Sequence, residues 1–208
     1  MIINFNSYKG GVGKTTVATN TALALGAAIL DLDGLRSSSK FNQIRSANGH
    51  EPLEVFTVET QAELQGIIEE FQGNKLLVVD SAGVNSDINR LVALSSDMLI
   101  VPTSPSVVEV LALTEYADFL KKTGEEYKIS FKANVLINNV GVQSKSDVIE
   151  LKSFISTNPY FDLFSTIIHS RIDFKKAFSR GQSVNEFDKK CKAAFEIKQF
   201  VKEIKADL

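Results

Sequence analysis

Tyr8-Lys9-Gly10-Gly11-Val12-Gly13-Lys14-Thr15-Thr16 is the stretch on which the reading of this chain turns. An apolar run, Ile2 to Asn6, precedes it, and a segment with helical spacing, Thr15 to Leu25, follows. Strand, glycine-rich turn and helix in that order bring backbone N–H groups onto phosphate oxygens, with the positive end of a helix behind them. Lys14 is placed to reach the β and γ phosphates of a nucleotide, and the Thr15 hydroxyl to ligate Mg²⁺. The ordinary phosphate loop has a glycine five positions before Gly13, where this chain has Tyr8. What stands here is the variant Lys-Gly-Gly-x-Gly-Lys-Thr-Thr, with a second lysine, Lys9, at its head.

Outward from the loop, short runs rich in Val, Ile and Leu alternate with helical spacing. The strands predicted are Ile2 to Asn6, Ala27 to Leu32, Leu53 to Val58, Lys75 to Asp80, Met98 to Pro102, Ala133 to Asn138 and Leu163 to Ile168. The helices predicted are Thr15 to Leu25, Gln61 to Phe71, Asp87 to Ser95, Val107 to Lys122, Asp147 to Ser156, Asp173 to Ser179 and Lys189 to Lys205. Apolar strands alternating with helices specify an α/β fold, a single domain over residues 1–208 with a mostly parallel sheet flanked by helices on both faces; the glycine-rich loop after its first strand makes that the layout of a P-loop NTPase. Ligands in such folds sit at the carboxyl ends of the strands. Ser37-Ser38-Ser39 and Asn138-Asn139 read as mobile loops.

The 208 residues are 44% hydrophobic and 23% charged, an ordinary globular balance that excludes whole-chain disorder and coiled coil. The lone cysteine, Cys191, forms no intramolecular disulfide, and with only His50 and His169 it builds no zinc or iron–sulfur site, which fits a reducing compartment. The start of the chain lacks a signal-peptide pattern, and no window approaches a membrane span, so a cytoplasmic location is expected. The net charge of −2 is unevenly spread: from Arg171 onward ten Lys or Arg face six Asp or Glu. The preceding part is correspondingly acidic.

Two further strand ends deliver carboxylates. Ile29-Leu30-Asp31-Leu32-Asp33 puts Asp31 and Asp33 on one side of an extended chain. Leu76-Leu77-Val78-Val79-Asp80-Ser81-Ala82-Gly83 carries Asp80 to the sheet edge, where a carboxylate can hold Mg²⁺ through water.

With these residues in place the sequence resembles the ParA/MinD family of deviant Walker A ATPases. The resemblance implies an ATP-sandwich homodimer in which Lys9 crosses to the partner's nucleotide, opposing charge that develops in phosphoryl transfer. It implies contacts to ATP or ADP from Lys9, Gly10, Gly11, Val12, Gly13, Lys14, Thr15 and Thr16. Catalytic roles fall to Lys9, Lys14 and Asp33, the last placing the attacking water. Mg²⁺ falls to Thr15, Asp31 and Asp80. Gly83 is expected to turn a backbone N–H toward the γ-phosphate and Asn138 to hydrogen-bond adenine. Pro102-Thr103-Ser104-Pro105 resembles the family's proline-bearing loop. The family continues its Asp-x-Asp with Pro-Gln, whereas this chain has Gly34-Leu35, a departure that bears on hydrolysis and not on nucleotide binding.

At the basic end, Arg171, Phe174, Gly181, Ser183, Val184 and Glu186 resemble the ParA branch, extending the match past residue 186. That branch implies non-specific DNA binding by the ATP-bound dimer, through Arg171, Lys175, Lys176 and Arg180, with Lys189, Lys190 and Lys192 next. It also implies a nucleoid-associated ATPase for plasmid or chromosome partition, stimulated by a ParB-like centromere-binding adaptor. The chain begins on its first strand, so an N-terminal helix-turn-helix domain is not expected. The alternatives are a MinD-like membrane-associated positioning ATPase and a family member positioning another cargo. For the membrane reading, Ile197, Phe200, Val201, Ile204 and Leu208 share a helical face. Packing of that face on the protein's own sheet is preferred, because Glu196, Glu203 and Asp207 dilute attraction to anionic lipid.

Overall fold

In the computed structural model, residues 1–73, 75–82, 87–141 and 144–207 are described. Their strands are β1 (Ile2–Phe5), β2 (Ala28–Asp31), β3 (Val55–Phe56), β4 (Leu77–Asp80), β5 (Met98–Thr103), β6 (Ala133–Val140) and β7 (Phe161–His169). The helices are α1 (Lys14–Leu25), α2 (Ser37–Ala47), α3 (Gln61–Glu70), α4 (Asp87–Leu94), α5 (Val107–Tyr127), α6 (Lys145–Thr157), α7 (Ile172–Phe178), α8 (Val184–Phe187) and α9 (Lys192–Ala206).

The seven strands form one sheet in the order β3-β2-β4-β1-β5-β6-β7, and every pairing is parallel. The order reverses direction at β1, so the loop after β1 opens at a switch point of the sheet. Alternation along the strands feeds both faces. Ile3 and Phe5 of β1, Val78 of β4 and Ile100 of β5 join Val17, Ala18 and Ala22 of α1 and Ile197, Phe200 and Ile204 of α9 in one apolar cluster. Leu77 and Val79 turn the other way, toward Leu64 and Ile68 of α3, and Leu99 and Val101 toward Leu113, Tyr116 and Leu120 of α5. Right-handed crossovers account for the partition: leftward steps from β1 put α1 on one face, and rightward steps from β3 onward put α3 to α6 on the other. Pro102 lies in β5 at register with Leu136, beyond the point where β1 gives way to the phosphate loop, so its missing N–H breaks no bond to β1.

Three expectations are corrected. Ser37-Ser38-Ser39 is the first turn of α2, not a loop. Asn138 and Asn139 lie within β6, where Asn139 adopts φ 55° and the register with β7 shifts. The last helix starts at Lys192 rather than Lys189, because α8 and a turn come first.

Candidate functional site

The phosphate loop is built from conformations that only glycine adopts without strain. Gly11 and Gly13 have φ of 88° and 86°, Gly13 being the residue from which α1 starts. Asn138, buried at the end of β6, donates from Nδ2 to the Val12 carbonyl at 2.7 Å. A Cβ at Gly13 would stand 2.6 Å from that same nitrogen. Asn138, expected to read adenine, thus has an amide hydrogen committed to bracing the loop.

Lys14 folds over the loop, with Nζ donating to Ser7 Oγ at 2.8 Å and to the Lys9 carbonyl at 3.0 Å. Burial pushes its ammonium below the usual lysine range, and the carboxylates of Asp80, Asp33 and Glu109 oppose that only in part. A poorly solvated cation among acceptors it shares with its own loop favours an anion arriving from outside. Lys9 is exposed and its side chain makes no ion pair among the described residues. Both lysines, with Gly10, Gly11, Thr15, Thr16 and Asp33, line a cavity of about 420 Å³. That volume suits a small polar ligand.

The carboxylates meet the first turn of α2 one serine at a time. Ser37 Oγ donates to Asp33 Oδ2 at 3.1 Å, Ser38 Oγ to Asp80 Oδ2 at 2.7 Å, and Ser39 N and Oγ to Asp31 Oδ2 at 2.8 and 2.7 Å. Asp31 Oδ1 accepts in addition from Asp33 N at 3.2 Å. Both oxygens of Asp31 therefore anchor the switch loop and helix, and its geometry is that of a structural cap more than of a metal neighbour. Asp80 differs: it is fully buried, and Oδ1 has no hydrogen-bond partner among the described residues. Burial pushes its carboxyl up to about 6, against the hydroxyls of Ser38 and Thr15. A buried carboxylate oxygen left open close to Thr15, a residue that lines the cavity although Asp80 itself does not, fits a Mg²⁺ held partly through water. Among the described residues no group of three or more His, Cys, Asp or Glu is placed to hold a metal ion. Gly83 lies outside the described residues.

A second cavity, of about 230 Å³, shares Gly11, Gly13 and Thr16 with the first and continues past Asn138 to His169, Ser170, Arg171, Phe174 and Lys175. It is placed for the nucleoside end of a ligand whose phosphates lie on the loop. Arg171 is held there by Glu196 in a bidentate pair at 3.1 and 2.6 Å, and His169 N and Nδ1 approach the same carboxylate at 3.1 and 2.8 Å. Burial would raise Glu196, but the Arg171 and His169 hydrogen bonds outweigh it and hold the carboxyl below its usual value. Of the four residues expected on DNA, Arg171 is thus half-buried and paired with Glu196. Lys175, Lys176 and Arg180 are exposed on and beside α7, Arg180 lying 5.1 Å from the Phe187 ring centroid.

Sequence reasoning missed the three serines, Ser7 and Glu109. No local signal marked the serines: α2 is entered through Arg36 with no side-chain cap, and the three hydroxyls answer carboxylates from β2, β4 and the loop after β2.

The all-parallel sheet, the two-lysine loop at its switch point and the carboxylates of β2 and β4 define a protein of the ParA/MinD class of P-loop proteins. The VirC1 protein family model matches residues 1–186, and the chain belongs to that family. It is 30% identical over 118 residues to the VirC1 protein of Rhizobium rhizogenes, covering 52% of this chain and 51% of that one. Over 112 residues it is 34% identical to the maintenance of carboxysome distribution protein A of Gloeobacter kilaueensis, covering 51% and 50%. The chain spans about half the length of the curated relatives it matches. Among solved structures, the MinD cell division protein of Aquifex aeolicus superposes with a TM-score of 0.73 at 17% identity, over 99% of this chain and 96% of that one. A plasmid partition protein of Borrelia burgdorferi bound to AMPPNP gives 0.67 at 14%, over 97% and 98%.

Proposed function

We propose that this chain is a ParA-type ATPase that couples ATP binding to partition of DNA. The observation that carries the reading is the pair of lysines on one loop. Lys14 is half-buried and turned onto its own loop, while Lys9 is exposed on the same cavity. In this reading Lys14, the loop N–H groups and Thr16 hold ATP, and Thr15 and Asp80 hold Mg²⁺. The bound metal neutralises phosphate charge. Asp33, fixed by Ser37, orients the attacking water, and Lys9 reaches the nucleotide of a second copy. ATP thereby closes a homodimer whose doubled basic surface, including Lys175, Lys176 and Arg180, grips DNA without sequence preference. A ParB-like adaptor stimulates slow hydrolysis and resets the monomer, giving a nucleoid-associated cycle.

The carboxysome-distribution relative favours a second reading, in which the same cycle positions a different cargo. The membrane reading loses support, because Ile197, Phe200, Val201 and Ile204 of the expected face are buried in the protein's own core, while Leu208 lies outside the described residues. No helix among the described residues is long and apolar enough to cross a membrane. Co-sedimentation with DNA and with anionic liposomes, each with ATP or ADP, tests the proposal. ATP-dependent pelleting with DNA supports it; pelleting with liposomes alone overturns it.

A further inference from the structure

The solvent face of α9 has a composition that the sequence conceals. The helix contains Lys192, Lys198, Lys202 and Lys205 against Glu196 and Glu203, which reads as a mixed surface. In the fold the two signs separate. Glu196 turns to His169 and Arg171, and Glu203 accepts from Ser165 N at 2.7 Å, Thr166 N at 2.9 Å and the Thr166 hydroxyl. All four lysines are exposed, and none makes an ion pair among the described residues. At about 100° per residue they fall within roughly 140° of the helix surface, along a stripe about 20 Å long. Phe195, 62% exposed, sits inside that stripe.

We propose that this face of α9 is a dock for single-stranded nucleic acid: the lysines hold successive phosphates and an unpaired base stacks on Phe195. The inference rests on the DNA-binding part of the reading above, but moves the principal contact from α7 to α9 and selects single strands. Charge complementarity calls for a polyanion. An isolated exposed aromatic ring among lysines has a use when a base can expose its face, which stacked pairs in a duplex do not. A lipid surface is the poorer occupant. The apolar side of α9, formed by Ala193, Ile197, Phe200, Val201 and Ile204, is already buried against the sheet and α1, leaving one aromatic residue to insert.

The test is fluorescence anisotropy with a labelled oligothymidylate and with a duplex of equal length, alongside co-sedimentation with phosphatidylglycerol vesicles. Oligothymidylate is expected to bind more tightly than the duplex. Phe195→Ala is expected to weaken the single strand about tenfold and the duplex less than twofold, with Phe195→Trp restoring affinity. Lys198→Gln with Lys202→Gln is expected to reduce the salt slope on the single strand by about 1.4. A Phe195→Ala protein as tight as the parent on oligothymidylate, a duplex bound equally well, or capture by vesicles alone would each overturn the proposal. Binding of a fluorescent ATP analogue is read in parallel. Normal nucleotide affinity without oligothymidylate binding sinks the α9 dock alone, whereas lost nucleotide affinity sinks the ATPase reading.

Discussion

At Gly13 two constraints act on one atom: a φ of 86° disfavours any side chain, and the nearest neighbour of a Cβ would be Asn138 Nδ2 at 2.6 Å. Gly13→Ala should therefore displace Asn138 from the Val12 carbonyl as well as strain the loop, and nucleotide binding should be lost. Asn138→Ala isolates the brace, since it removes one buried hydrogen bond, of order 1 kcal/mol, and leaves the backbone free to keep its shape. ATP affinity should fall about fivefold, with thermal stability changed by no more than a few degrees. Titration with a fluorescent ATP analogue separates the two variants, and an Asn138→Ala protein with parental affinity would remove Asn138 from both the brace and the base. Lys14→Ala should abolish binding in the same assay, because it removes the ammonium that is folded over the loop onto Ser7 and the Lys9 carbonyl. These residues were legible in the sequence because glycine spacing and lysine position are local properties. That Asn138 reaches the loop was not, since 126 residues separate it from Val12.

At the scale of elements, α2 is where the sequence misled. Ser37-Ser38-Ser39 looked like a loop because serine disfavours helix interiors, and the reason it opens a helix is tertiary: three carboxylates from β2, β4 and the loop after β2 wait for three hydroxyls. The Asp31 and Asp80 positions were readable from strand ends, but their division of labour was not. Ser38→Ala removes the 2.7 Å hydrogen bond to a fully buried carboxylate, which should cost about 1–3 kcal/mol. The apo protein should melt several degrees lower, and Mg²⁺ with ATP should recover most of the loss by occupying Asp80. Calorimetry with and without Mg-ATP measures both. The β7–α9 contact makes a pH prediction of definite sign. Glu196 is held below its usual carboxyl value by Arg171 and His169, so the stability it contributes is present above the ordinary glutamate range. That stability is lost as pH falls through its depressed native value. Thermal stability should therefore decline below about pH 4.5, and Glu196→Gln should flatten that acid limb while lowering stability at neutral pH. An unchanged acid limb would exclude Glu196 as its source.

Across the whole molecule, α2 joins the carboxylate site to the basic end. Its first turn holds Asp31, Asp33 and Asp80, while Arg45 in its last turn reaches Glu186 at 3.0 and 2.8 Å and the Gly181 carbonyl at 2.9 Å. The approach is close enough that a Cβ at Gly181 would lie 2.2 Å from Arg45 Cα, and Phe41 packs on Phe178 of α7 at 5.1 Å between ring centroids. The glycine and glutamate of the ParA-like pattern were visible in the sequence, but their partner on α2 was not, because Arg45 carries no motif of its own. A rigid helix bonded at one end to the groups that would sense Mg-ATP and packed at the other on α7 and α8 is a two-ended lever, and a ligand that binds one arrangement of it better shifts the other end. Weakening the far end should then separate two properties that normally travel together. In Glu186→Gln the Arg45 guanidinium, almost fully buried, keeps its carbonyl partners on Gly181 and Glu51 but loses its counter-charge, at a cost of about 2 kcal/mol. ATP affinity should stay within about twofold of the parent, because no contact to the phosphate loop is touched, while the increase in DNA affinity on adding ATP should shrink by about tenfold. DNA titrations with ATP and with ADP give that ratio directly; a ratio equal to the parent's would show that α2 does not carry the signal.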